Sequence, residues 1–278
     1  PEPDDPASTL HPSRCVDRPH ILHNARTGKY VCWLKVMFTD GTQRCTILIA
    51  DQLLGPYTKI QEGLLPLGMS AGDFDLAVAD DGKAYYYFER VHSELICADL
   101  TDDYTGLTGY YSTHFPRLGP PYTREAPAHF IRKGRHYLFT SGTTGYLPNP
   151  SELAIADTWH GPYRVLGNPH PADETHTSFH SQVSFVFKVP GKKDLYIALA
   201  DRWLPQKISL CYDKYRVLFE RLFDSNPDIS YPPLQKEEIP ATGPDNTSLA
   251  DYVWLPLRFD GEMAYIDWLD EWKIEDYD

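Results

Sequence analysis

The sequence has few sulfur-containing residues, with five cysteines and three methionines in 278 residues. No two cysteines stand in a CxxC spacing, so the sequence predicts no structural zinc site. Cys32 and Cys45 flank Asp40-Gly41, a dipeptide typical of hairpin turns. Two readings fit this arrangement equally: a disulfide across two strands, or two buried free thiols.

Long apolar runs are also lacking. No run approaches the roughly 18 residues that a membrane-spanning helix needs, which excludes such a helix. The chain opens on Pro1-Glu2-Pro3-Asp4-Asp5, which has no charged-then-apolar signal segment, so we expect any signal peptide to lie upstream. The glycosylation sequon Asn246-Thr247-Ser248 suits a secreted protein, and secretion is the prediction.

Basic clusters are short. Lysine and arginine total 26 against 39 acidic residues, for a formal charge of −13, and no cluster is longer than Arg132-Lys133 or Lys192-Lys193. This balance excludes nucleic acid as a partner, because binding to phosphates requires positive charge. A neutral polysaccharide or oligosaccharide fits better, since it needs only hydrogen bonds and aromatic faces.

Aromatic residues and proline are abundant. There are 19 tyrosines, six tryptophans and 24 prolines, and 42% of the residues are hydrophobic. This composition favours strands and tight turns over helices. The length suits one all-β domain with a large core, and we predict a single domain over residues 1–278.

A repeat of about fifty residues organises the chain. A glycine turn followed by an aromatic, β-branched run occurs at residues 28–33, 82–88 and 134–139, more weakly at 193–198, and again at 261–266. A second motif, Ile-Ala-Asp followed by Gly-Pro-Tyr, occurs at residues 49–57 and 155–163. Fifty residues hold the four short strands of one propeller blade, so the repeats predict a β-propeller in preference to a β-sandwich.

The pattern breaks between residues 209 and 249, which we interpret as an insertion. In its first part, apolar residues recur at the spacing of an amphipathic helix, at Tyr215, Leu218, Phe219 and Leu222. A segment rich in Pro, Glu and Asp follows, as in a long surface loop.

Eight short motifs along the chain, the second of which runs from residues 72–76 into 80–82, resemble glycoside hydrolase family 43, and most closely its exo-β-1,3-galactanase branch. They cover the chain from Asp17 to Trp272 in the family's order, with the insertion unmatched, and lie at residues 17–19, 72–76, 80–82, 125–128, 137–146, 148–150, 179–182, 201–203 and 252–256. The resemblance implies a five-bladed β-propeller enzyme. Two departures from the family pattern stand out. Only sixteen residues precede Asp17, so the resemblance implies an incomplete first blade, and Gly72 stands where the family usually has arginine.

The resemblance assigns the catalytic roles. Inverting hydrolysis needs a general acid and a group that activates water on the opposite face of the sugar. Glu125 matches the acid; alone, it would read as a surface glutamate paired with Arg124. Asp73 matches the carboxylate that raises the pKa of the acid, although it could instead cap the Asp80-Asp81-Gly82 hairpin.

The base is less clearly assigned. In the galactanase branch, a glutamine at the position of Gln182 has been proposed to handle the water, and a core amide is the alternative for this residue. A neutral amide is a poor base, so Asp17 is the second candidate, with binding of a substrate hydroxyl as its other role.

Substrate contacts are predicted from aromatic and planar polar side chains, which stack on and hydrogen-bond to sugars. The candidates are Trp203, Asp201, Arg202 and Tyr146, and the two aromatic residues fit a propeller core equally well. We predict no metal and no cofactor, because no acidic loop here has calcium-ligand spacing. A structural calcium, which some family members hold, is the alternative that the resemblance leaves open.

The resemblance implies an exo-acting, inverting enzyme that releases galactose from β-1,3-galactan, the main chain of arabinogalactan. Two alternatives stay open. One is another family 43 activity, such as that of an α-L-arabinofuranosidase, β-xylosidase or galactofuranosidase, since function depends on the pocket and not on the fold. The other is a non-catalytic carbohydrate-binding propeller.

Overall fold

The computed structural model describes residues 2–203, 211–224 and 250–278. It divides into two compact units. The first contains residues 2–116 together with 158–162, and the second contains the remaining described residues. The predicted single domain over 1–278 stays a prediction, and residues 204–210 and 225–249, which hold most of the predicted insertion and the sequon, lie outside the described residues.

The first unit contains two four-stranded antiparallel sheets in which consecutive strands pair side by side. The strands of the first sheet are β1 (Val16–Asn24), β2 (Lys29–Met37), β3 (Gln43–Ala50) and β4 (Thr58–Leu64). Those of the second are β5 (Ala71–Val78), β6 (Ala84–Arg90), β7 (Glu94–Leu100) and β8 (Leu107–His114).

Aromatic side chains fill the core of this unit. Trp33, Phe74, Tyr86 and Phe88 are all at most 1% exposed, and each belongs to a strand whose alternate residues point into the core. The Trp33 indole N–H donates to the carbonyl of Tyr104 at 2.8 Å, which satisfies its one polar group inside the core.

Residues 158–162 belong to the first unit because they pack on its second sheet. The Trp159 ring stacks on Tyr85 with centroids 4.2 Å apart, and the His160 imidazole lies 2.6 Å from the Asp99 carboxylate. This segment lies within the second copy of the Ile-Ala-Asp and Gly-Pro-Tyr motif. In both copies, the Gly-Pro step lies in the turn between the third and fourth strands of a sheet.

The second unit contains two further sheets of the same topology and one helix. The strands of the third sheet are β9 (Glu125–Arg132), β10 (Arg135–Ser141), β11 (Glu152–Ala156) and β12 (Arg164–Gly167). Those of the fourth are β13 (Gln182–Lys188), β14 (Tyr196–Arg202), β15 (Asp251–Asp260) and β16 (Met263–Ile266). Their shared core includes Phe139, Leu153, Ala198, Leu255 and Ile266.

The predicted helix within the insertion is present as α1 (Tyr212–Phe223). Tyr215 and Leu218, two of the residues that carried the pattern, are buried. Tyr212 and Tyr215 pack against Leu147, so the helix lies on the loop that follows β10.

The all-β class is confirmed, and each sheet has the strand order of a propeller blade. The expected five blades are not confirmed, because the described residues form four sheets. The first four copies of the repeat are the second strands of the four sheets. The last copy, at 261–266, is the turn and fourth strand of the fourth sheet and begins no further blade.

The disulfide reading for Cys32 and Cys45 is wrong. The strands pair Cys32 with Leu48 and Cys45 with Lys35, so the two cysteines do not face each other, and both are free thiols. Burial raises the pKa of Cys45 to about 12, and its sulfur lies 3.1 Å from the Tyr86 hydroxyl. In the described residues, no helix is long and apolar enough to cross a membrane.

Candidate active site

Glu125 is the first residue of β9 and lies opposite Ser141, the last residue of β10. The pairing slips between Phe139 and Ser141, and the next residue, Ala126, has a φ of 49° although it precedes a proline. A left-handed backbone is strained for alanine, and strain of this kind is concentrated at functional sites. The bulge sets the direction of the Glu125 side chain at the end of the sheet.

Gln182 is the first residue of β13, and its buried side-chain amide contacts both Glu125 and Ser141, the two residues that pair at this bulge. The Nε2 group donates to Ser141 Oγ at 2.7 Å and to Glu125 Oε1 at 3.4 Å. The structure therefore brings together Glu125 and Gln182, two of the predicted catalytic residues, with Ser141 between them. Ser141 was not predicted as a site residue, and its place in a matched motif was the only sign of it in the sequence.

Arg124, proposed as an alternative partner of Glu125, directs its hydrogen bonds elsewhere. The guanidinium donates to the side chain and carbonyl of Thr140, at 2.9 and 2.7 Å, and lies 3.9 Å from Glu152. Burial lowers the pKa of Arg124 to about 10, partly offset by Glu152. Arg124 thus helps to hold β10 beside the start of β9.

The segment before Gln182 has an unusual backbone. Ser178, Phe179 and His180 are consecutive non-glycine residues with φ between 55° and 57°, and His176 has a φ of 54°. Each left-handed residue of this kind costs roughly 1–2 kcal/mol. The turn places His180 half-buried two residues before Gln182, and desolvation lowers the pKa of this imidazole.

In the first unit, Asp73 is held by two cations that the sequence analysis gave no role. Arg18 Nη2 donates to one carboxylate oxygen at 3.0 Å and Lys35 Nζ to the other at 2.7 Å. Burial alone would raise the pKa of Asp73, but the charges and hydrogen bonds of Arg18 and Lys35 outweigh it and hold the pKa well below its usual range. The hairpin-cap reading for Asp73 is therefore wrong.

Lys35 also lies 3.1 Å from Asp17, its partner across the β1–β2 pair. The predicted residues Asp17 and Asp73 are thus brought together through one lysine, in a cluster of two carboxylates and two cations with Arg18. The sequence did contain one sign of this cluster. Lys35 lies inside the otherwise apolar run of β2, and a buried lysine is usually paired with a carboxylate.

Gly72, where the family has arginine, lies against the buried carboxylate of Glu89. A Cβ added to Gly72 would come within 2.0 Å of Glu89 Oε2. The Glu89 side chain accepts a hydrogen bond from the backbone of His92 at 2.8 Å and is 2% exposed. Glu89 thus occupies the space that a side chain at position 72 would need.

The predicted substrate residues all lie in the second unit but fall into separate groups. The Tyr146 and Trp203 rings meet edge to face at 5.6 Å, which leaves Tyr146 41% exposed. Asp201 lines an open groove of about 370 Å³ with Tyr252 and Trp254. The Arg202 guanidinium lies 5.1 Å from the Trp268 ring.

We find no group of three or more His, Cys, Asp or Glu side chains arranged to hold a metal within residues 2–203, 211–224 and 250–278. The expectation of no metal stays a prediction, because calcium can also be held by backbone carbonyls and water.

Changing Gly142 to alanine is expected to lower the free energy of unfolding by about 1–3 kcal/mol. Gly142 follows Ser141, and a Cβ there would come within 2.7 Å of the carbonyl oxygen of Pro121, which is backbone and cannot easily move. Urea denaturation measures the change. Gly106→Ala is the matched control, because its Cβ would meet nothing closer than 3.6 Å. Equal stability of the two variants would contradict the expectation.

The sequence profile of glycosyl hydrolases family 43 matches residues 19–203, which include Asp73, Glu125 and Gln182. Among curated protein sequences, no relative matched this chain.

Several solved structures share the fold. A GH43 β-1,3-galactosidase is 23% identical with a TM-score of 0.73, and the match covers 96% of this chain and 48% of that one. A second GH43 β-1,3-galactosidase, solved with galactodeoxynojirimycin, is 25% identical with a TM-score of 0.75, over 98% of this chain and 80% of that one. An exo-β-1,3-galactanase from Phanerochaete chrysosporium, solved with galactose, is 21% identical with a TM-score of 0.70, over 94% and 51%.

This chain spans about half the length of the first and third of these proteins. The family match covers well over half of the chain, in agreement with the resemblance of the motifs. The chain therefore belongs to glycosyl hydrolase family 43.

Proposed function

We propose that this chain is an exo-acting glycoside hydrolase that releases galactose from β-1,3-galactan by inversion, and that it acts outside the cell. The observation that carries the proposal is the Glu125 carboxyl group, which lies at the strained start of β9 beside the buried Gln182 amide. Inversion is proposed from the resemblance to the family. The choice of substrate rests on the galactanase-like motifs, and the solved structures that share the fold include β-1,3-galactosidases and an exo-β-1,3-galactanase.

In this proposal Glu125 is the general acid. It delivers a proton to the oxygen of the leaving sugar while the bond from that oxygen to the anomeric carbon breaks. The position of Glu125 at the first residue of a strand, beside a strained bulge, suits a side chain that must keep one direction.

Gln182 is proposed to orient the attacking water. Its Nε2 group is engaged by Ser141 and Glu125, and an amide oxygen is an acceptor with two lone pairs that can hold a water proton. Because an amide is a weak base, orientation is the role that its chemistry supports, and the proton that the attacking water loses is released to solvent. Asp17 stays the second candidate for the base, which would accept this proton directly.

The substrate is proposed to lie against aromatic and planar polar side chains. Tyr146 and Trp203, already in contact, present the aromatic surface, and Asp201 and Arg202 provide hydrogen bonds to hydroxyl groups.

Incubation with linear β-1,3-galactan tests the function. We expect free galactose as the product, formed first as the α-anomer, which time-resolved NMR distinguishes from the β-anomer. The β-anomer would contradict inversion, and released oligosaccharides would contradict exo action. Turnover of arabinofuranosyl, xylosyl or galactofuranosyl substrates in its place would favour another family activity, and sugar binding without turnover would favour a non-catalytic propeller.

A further inference from the structure

Asp173 lies in the loop before β13 and is 7% exposed. Its two carboxylate oxygens accept hydrogen bonds from the left-handed turn that leads to Gln182. Oδ1 accepts from the backbone N–H and the hydroxyl of Thr175, at 3.1 and 2.5 Å. Oδ2 accepts from the backbone N–H groups of Thr177 and Phe179, at 2.7 and 3.0 Å, and from the Thr177 hydroxyl at 3.4 Å.

Only an ionised aspartate can satisfy this set. A carboxylate is an acceptor at both oxygens, whereas asparagine would turn an NH2 group towards at least one backbone N–H. Burial alone would raise the pKa of Asp173, but the hydrogen bonds from Thr175, Phe179 and Thr177 outweigh it and lower the pKa. The carboxylate therefore stays charged and holds residues 176–180 in a conformation that they would otherwise avoid.

A second set of contacts links the same turn to the other side of Gln182. Ser178 Oγ donates to the carbonyl of Asn149 at 2.9 Å. The Asn149 side chain in turn binds Gly142, accepting from its N–H at 2.6 Å and donating to its carbonyl at 2.9 Å. Gly142 follows Ser141, whose hydroxyl accepts from the Gln182 amide.

Gln182 is thus fixed twice. Its backbone follows the turn held by Asp173, and its side chain binds Ser141, which is anchored to the same turn through Asn149 and Ser178. We propose that Asp173 is a positioning residue, which holds the left-handed turn at 176–180 and through it sets the position of the Gln182 amide beside Glu125. The inference rests on the proposed role of Gln182.

The test uses Asp173→Asn in the full chain, with linear β-1,3-galactan as substrate. We expect kcat to fall by about 10- to 100-fold with KM little changed, because a small displacement of a positioning group costs this much. The resonance of the Gln182 side-chain amide, followed by NMR in glutamine-labelled protein and assigned with Gln182→Leu, is expected to shift.

Asp103→Asn is the matched control. Asp103 also holds a turn between two threonines, accepting from Thr101 and from the N–H and hydroxyl of Thr105, but it lies in the first unit. This variant is expected to lose stability with kcat and the Gln182 resonance unchanged.

A rescue variant separates positioning from general loss of stability. His176 is half exposed and has a φ of 54°, which glycine adopts without strain. Adding His176→Gly to Asp173→Asn is therefore expected to restore part of kcat and to move the Gln182 resonance back.

A wild-type kcat and an unmoved Gln182 resonance in Asp173→Asn would overturn the proposal. If that variant does not fold, Thr175→Val, which removes one donor to Oδ1, is expected to shift the resonance by a smaller amount, and no shift there would overturn it. If the wild type hydrolyses no galactan, the proposed function fails, while the resonance still decides whether Asp173 positions Gln182.

Discussion

Glu125→Gln is expected to reduce turnover of β-1,3-galactan by about 100- to 10,000-fold, the usual contribution of a general acid. Glutamine keeps the size of the side chain and a hydrogen-bonding oxygen, but it has no proton to give to the leaving sugar. Binding of galactose should be nearly unchanged, because the groups proposed to contact the sugar remain. Steady-state kinetics and calorimetric titration with galactose measure the two quantities.

Comparing galactan with an aryl galactoside tests whether the loss of activity comes from the loss of proton donation. An aryl galactoside with a good leaving group departs with little need of a proton, so its turnover should fall much less than that of galactan. Equal losses on both substrates would show that Glu125 acts through the structure. Glu94→Gln is the matched control, since Glu94 also begins a strand, β7, and is paired with Arg90 at 2.9 Å.

The local repeat in the sequence predicted most of the sheet structure. A glycine turn and an alternating aromatic run define one strand of a hairpin, and four of the five copies occupy the same place in their sheets. The fifth copy does not mark a fifth blade, because a glycine turn followed by an aromatic run fits any strand that follows a tight turn. Only the pairing of β16 with β15, within the fourth sheet, shows where that copy belongs.

The site was predicted less completely because much of it depends on long-range contacts. Glu125 and Gln182 were found by resemblance, but the Arg18–Asp73 pair joins residues 55 positions apart, and no local pattern marks it. The disulfide reading failed for a different reason, since it depended on the register of the β2–β3 hairpin, which the turn dipeptide alone does not determine. The left-handed turn at 178–180 contains no glycine, so the sequence carried no sign of its backbone.

Asp73→Asn is expected to lower the free energy of unfolding by about 3 kcal/mol at neutral pH, within the range found when one partner of a buried ion pair is removed. Arg18, Lys35 and Asp73 have side chains that are 10%, 11% and 12% exposed, so the two cations would be left in a poorly solvated place with one anion fewer. Chemical denaturation measures the loss. Asp81→Asn, at a 61% exposed turn position 3.9 Å from Lys83, is the matched control and should change little.

The stability that Asp73 contributes is also expected to depend on pH, and the direction of this dependence follows from the pKa of Asp73. The folded-state pKa of Asp73 lies below its unfolded value, which is about 3.9 for aspartate. The stability that ionised Asp73 contributes is therefore fully present above that pH and is lost as the pH falls towards the folded-state pKa. The difference in stability between the wild type and Asp73→Asn should be constant from about pH 7 to pH 5 and should narrow below about pH 4. If the difference in the free energy of unfolding between the wild type and Asp73→Asn stayed the same down to acid pH, the charge of Asp73 would contribute nothing to stability, contrary to this prediction.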